Sequence, residues 1–142
     1  MATDTATGSS PDVCRVVLES KTHEQIVISI PGSSYRLQLT PTVAPQAIST
    51  PEGKRLSGVI RGKALRMHLA TGGGRFIEPV NGHPRIVQGT VISIDPAHNR
   101  VLVNMVVPAW LDLAEGQKAS DFAAGQLVNM YVESGMTFTP TA

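Results

Sequence analysis

Gln25 to Thr40 reads QIVISIPGSSYRLQLT, and its apolar residues recur on every second position. Ile26, Ile28 and Ile30 fall on one side of the alternation, Gln25 and Ser29 on the other. Tyr35, Leu37 and Leu39 alternate in the same way with Ser34, Arg36, Gln38 and Thr40. A period of two is that of a strand with one face in a core. Between the runs, Pro31-Gly32-Ser33 supplies a preset φ and a residue that tolerates positive φ, which spells a turn. The stretch predicts a hairpin with one apolar and one wet face.

Working outward, Val13 to Leu18 is also β-rich, and the polar run Ser20 to His23 separates it from Gln25. The three runs predict a three-stranded meander over 13–40. Residues 41–53 hold three prolines and no period, so they read as a linker. From Lys54, Leu56 and Ile60 share one strand face, while Leu65, Met67 and Leu69 have the opposite parity. That flip predicts a bulge or a tight turn at Arg61-Gly62-Lys63. Further on come a short strand at Phe76–Val80, a turn at Asn81-Gly82 and a longer strand at Arg85–Ile94 kinked at Gly89. A hairpin loop at Asp95–Asn99 leads to an apolar face of Val101, Val103, Met105 and Val107. Pro108 is expected to bar a central strand over 108–111. Ser120-Asp121 is expected to cap a short helix through Ala124. Gln126–Glu133 reads as the last strand, with Val128, Met130 and Val132 on one face.

The chain has 142 residues, of which 13 are Gly and 10 Pro. Length fits one domain, and the turn-rich composition disfavours a helical bundle. The fold expected is a single all-β domain over 13–138, an antiparallel barrel or sandwich of about seven to nine short strands. It is expected to carry at most one short helix, near the C-terminus. Within it, the meander 13–40 and the linker 41–53 precede a small-barrel part, 54–138. Residues 1–12 and 139–142 are expected as tails, the first of them disordered. Gly89–Asp95 followed by Asn99–Val103 is similar to the hairpins of OB-like and SH3-like small barrels, a pattern too widely shared to assign a family. The order of elements departs from an OB barrel, whose helix precedes two final strands; the helix candidate here precedes one. No targeting or membrane-spanning segment is read, so a soluble cytoplasmic protein is expected.

Net charge is +1, but its distribution is uneven. Lys54, Arg55, Arg61, Lys63, Arg66 and Arg75 crowd the middle of the chain, with no acid from Gly53 to Ile77. Arg61, Lys63, Arg66 and Arg75 are therefore the candidate anion-binding residues, and nucleic acid or another polyanion the candidate ligand. Aromatics amount to 4%, which is few for single-strand stacking. The glycine run of Thr71–Arg75 invites an anion nest, but it lacks the spacing of a phosphate loop and precedes a strand. His68, His83 and His98 are evenly spaced, yet His83 and His98 flank a strand and stand ~30 Å apart. With His23 remote and Cys14 without a partner, no metal site is expected. Asp95 and His98 fit turn chemistry better than an acid–base pair. No catalytic residue and no cofactor are assigned. Trp110 and Leu111, in an apolar run beside Pro108, are candidate interface residues. The function expected is a non-enzymatic binding or assembly module that forms a homo-oligomer; polyanion binding over 54–75 is the alternative.

Overall fold

The computed structural model describes residues 11–141. In chain order the strands are β1 (Cys14–Lys21), β2 (Ile26–Ser29), β3 (Arg36–Pro41), β4 (Arg55–Lys63), β5 (His68–Leu69) and β6 (Phe76–Glu78). They continue with β7 (Asn81–Gly82), β8 (Ile86–Asp95), β9 (Arg100–Asn104), β10 (Pro108–Asp112), β11 (Leu127–Tyr131) and β12 (Thr137–Pro140). Among the described residues there is no α-helix, only 3-10 turns at Pro45–Ala47 and Ala119–Asp121. Among the described residues no helix is long and apolar enough to cross a membrane.

The meander forms as the alternation dictates. β1, β2 and β3 pair antiparallel in sequence order. Val16, Leu18, Ile26, Ile28, Leu37 and Leu39 are all buried on one side. At the turn, the Ile30 N–H donates to the Tyr35 carbonyl at 3.2 Å, and Gly32 takes a φ of 80°.

β4 organises the rest. Its first half pairs with β1 along one edge, and its second half leaves β1 and pairs in parallel with β10. Its other edge takes β12, which runs parallel to β3. The ring β1-β2-β3-β12-β4 returns on itself as a closed five-stranded barrel. Numbered along the chain, the barrel strands close in the order 1-2-3-5-4 with one parallel pair between third and fifth. Between the third and fourth barrel strands lies the 41–53 connection with its single 3-10 turn. The helix expected at Ser120–Ala124 is instead the 3-10 turn Ala119–Asp121, which has no side-chain cap.

A second lobe is inserted between the fourth and fifth barrel strands. Its strands run β4-β10-β9-β8-β11-β5, and β6 extends the edge of β8. The Ala64–Val132 bridge, with Leu65 N–H to Tyr131 O and Glu133 N–H to Lys63 O, leads from β11 back to the end of β4. One apolar cluster fills both parts, from Val16 and Phe138 to Val103 and Met130.

The structure departs from the sequence expectation at several points. Twelve strands exceed the expected count, because Asn81-Gly82, 108–112 and 137–140, none of them expected as strands, form β7, β10 and β12. Asn81-Gly82, expected as a turn, lies beside β3 in parallel. β4 neither bulges nor turns at Gly62. It runs straight through, and the missing side chain at Gly62 makes room for Met136, whose Cε would lie 2.8 Å from an added Cβ. The inward parity continues to Ala64 and flips only beyond it, at the bend of Leu65, so that Met67 is buried while Leu65 and Leu69 are exposed. β8 is irregular between Val91 and Ser93, not at Gly89. Pro108 does not bar a central strand. It opens β10, where a missing donor matters least, and β10 lies between β9 and β4. Finally, Thr139 and Pro140 are not tail but the end of β12. Of the tail expected over 1–12, residues 1–10 lie outside the described residues.

Candidate functional site

The shared strand β4 brings three of the candidate residues together. Trp110 and Arg61 are direct neighbours across the parallel β10–β4 pair, as are Asp112 and Lys63. All four face outward, beside a cleft of about 420 Å³ at the seam between barrel and second lobe. Arg61 and Lys63 enter it from β4, Asp112 from β10, and Glu133 to Met136 from the segment that returns to the barrel. Arg61 lies 3.7 Å from the Asp112 carboxylate. Among the described residues no ion pair includes Lys63 or Glu133.

Trp110 is half-buried on this outer face, and Leu111, next to it, is fully buried in the core. The indole N–H donates to the Asp12 carboxylate at 2.9 Å, which fastens the start of the described chain to the second lobe. The Arg100 guanidinium stacks 4.1 Å from the ring centroid. Arg100 Nε–H also donates to Asp95 at 2.9 Å, and His98 Nδ1 approaches the same oxygen at 2.9 Å. The hydrogen bond from Arg100, then that from His98, holds the Asp95 carboxyl below its ordinary range. A depressed folded-state value means the contribution is present above the unfolded pKa and is lost as pH falls through the folded one. Replacing Asp95 by Asn is therefore expected to lower stability near neutral pH. The gap from wild type should close in acid, as followed by urea melts across a pH series.

Arg66 and Arg75 lie elsewhere. Arg66 borders a separate polar hollow with Glu115, Gln117 and Asp121. Arg75 ends the glycine loop, which is not loose. The buried Gln88 amide donates to the carbonyls of Gly72 and Gly74 at 2.8 and 2.7 Å. Asn129 donates in turn to the Gln88 carbonyl oxygen at 2.9 Å. Cys14 is buried in the barrel, and burial pushes its thiol pKa up to about 11. At about pH 8 the thiolate fraction is then on the order of a thousandth. Alkylation by iodoacetamide is expected to be slow in the native protein and fast in urea. Among the described residues, no three His, Cys, Asp or Glu side chains gather as a metal-binding group.

A further surface escaped the sequence reading. Leu65, Tyr131, Ile86 and Glu78 stand side by side across the outer face of the second lobe. Leu65 is 49% exposed, Val80 47% and Tyr131 61%. Tyr131, Ile86, Pro79 and Val80 line a groove of about 400 Å³, with Glu78 and Arg85 at its rim. The available signal was parity: Tyr131 alternates against Val128, Met130 and Val132, which places an aromatic ring on the wet side of its strand.

No known family matches the chain, and no curated protein does either.

Proposed function

We propose that this chain is a cytoplasmic, non-enzymatic binding module that docks a protein on the outer face of its second lobe. The observation that carries the reading is the contiguous set of exposed Leu65, Val80 and Tyr131 beside Ile86. Large apolar residues gathered on one face, rather than scattered singly, mark interaction surfaces. In support of a non-enzymatic role, the clearly shifted titratable groups among the described residues are a buried thiol and a carboxylate engaged by its own hairpin. Neither has the exposed nucleophile–base geometry of covalent catalysis. A photo-crosslinking residue placed at 131 is expected to give a protein adduct of one discrete mass in cells. The same residue at 38, on the far barrel, should give none; equal labelling at both positions, or no adduct at 131, contradicts the reading.

A second reading is polyanion binding at the seam, favoured by Arg61 and Lys63 side by side in the cleft with Trp110 adjacent. Asp112 and Glu133 in the same cleft count against it. Titration with mixed oligonucleotides at ~50 mM salt decides: binding abolished by Arg61→Glu with Lys63→Glu supports it, and no affinity eliminates it.

A further inference from the structure

The groove on the second lobe is apolar at its centre and carries one charge of each sign at its rim. We propose that its occupant is a second copy of this chain, related by a two-fold axis. The proposal rests on the docking-face reading above and names the partner. Pro79, Val80, Ile86 and Tyr131 supply the centre, Glu78 the acid and Arg85 the base. The two charged residues are tied through the backbone, the Arg85 N–H donating to the Glu78 carbonyl at 2.8 Å. Their side chains nevertheless stay apart: among the described residues no ion pair includes either.

Such a surface is its own complement. Two-fold rotation sets apolar centre against apolar centre and brings Glu78 of each copy to Arg85 of the other. Tyr131 suits the middle of the contact, being a large ring with a polar tip that stays hydrated at the edge of the seal. Leu65, hydrogen-bonded through its backbone N–H to the Tyr131 carbonyl, continues the apolar surface on the same face. The chain's own first ten residues make a poor cover. They contain no aromatic and no branched aliphatic residue to fill the groove.

The charge pattern gives a test that a fortuitous apolar contact cannot imitate. Wild type, Glu78→Arg, Arg85→Glu and an equal mixture of the two variants are compared by sedimentation equilibrium. Both sites are at the surface, so each variant should keep the wild-type circular dichroism and melting temperature. Wild type is expected to be a dimer. Each variant alone faces like charges twice and is expected to be a monomer. The mixture restores both pairs, one copy carrying two bases and the other two acids, and is expected to return to dimer. A dimer that ignores the charge changes but dissociates with Tyr131→Lys overturns the two-fold pairing and leaves the docking face standing. A dimer that survives Tyr131→Lys as well removes the face itself from the contact. A wild type that stays monomeric at all concentrations overturns the second copy as occupant. In that case, an adduct from position 131 of any mass other than two chains would show a different partner on the same face.

Discussion

Removing residues 137–142 is expected to unfold the protein rather than trim its end. β12 is the fifth strand of the barrel, lying between β3 and β4. Its Phe138 is fully buried, and the Thr42 N–H donates to the Phe138 carbonyl at 3.0 Å while the Thr141 N–H donates to Ser57 at 2.9 Å. Truncating one buried Phe to Ala costs about 3–5 kcal/mol. Deleting the strand also strips hydrogen bonds from two neighbours and opens two edges in a ring that had none there. Against a total stability of about 5–15 kcal/mol, that loss leaves little folded protein. Circular dichroism of the truncated chain should show no cooperative melt. A truncated chain that melts at the wild-type temperature would mean the barrel is not closed by β12.

Gly89→Ala should be nearly as damaging. Gly89 sits inside β8 between β11 and β9. A Cβ there would strike the Asn104 carbonyl oxygen and stand 2.6 Å from the Val103 Cγ1. Both belong to the next strand, and the carbonyl is backbone, so no side-chain rotation relieves the overlap. Overpacking costs typically ~1–3 kcal/mol and more where the surroundings are rigid, so a loss at or above the top of that range is expected. Gly72→Ala is the matched control, since nothing lies within 4 Å of its added carbon. Urea midpoints at unchanged slope would give the two values; equal midpoints for both variants would refute the packing described at β8.

Much of the fold was legible because one physical signal, alternation, repeats along the chain. Ile26, Ile28, Leu37 and Leu39 alternate cleanly and are buried as read. What escaped was whatever alternation does not encode. The parity flip falls after Ala64 rather than at Gly62; Met67 is buried beyond it, but Leu65 and Leu69 are apolar yet exposed, and a pattern cannot distinguish a core leucine from one on an open face. Gly62 and Gly89 looked like places where the backbone must bend. Both are places where another part of the chain comes close, Met136 in one case and β9 in the other. Those contacts join residues far apart in sequence. β10 is hidden in the sequence because Pro108, a barrier inside a central strand, stands here at the first position of one. Closure of the barrel by β12 depends on a parallel pairing between Thr40 and Thr137, which no local window contains.

The candidate site was less legible, for a related reason. Charge counting drew attention to 54–75, and the structure divides that stretch among surfaces. Arg61 and Lys63 line the seam cleft, Arg66 faces Glu115 and Asp121 in another hollow, and Arg75 closes the glycine loop. Leu65, Val80 and Tyr131 come from three distant segments and meet only after folding. Of these, Tyr131 alone announced itself, by its parity.

Whether the outer face of the second lobe meets a second copy is tested most directly by amide NMR over a dilution series. On dilution, the resonances of Leu65, Val80, Ile86 and Tyr131 are expected to move together toward monomer positions, while those of Arg61, Lys63 and Thr137 at the seam hold still. Spectra that do not change with concentration, or changes confined to the seam cleft, would contradict docking of a second copy on this face.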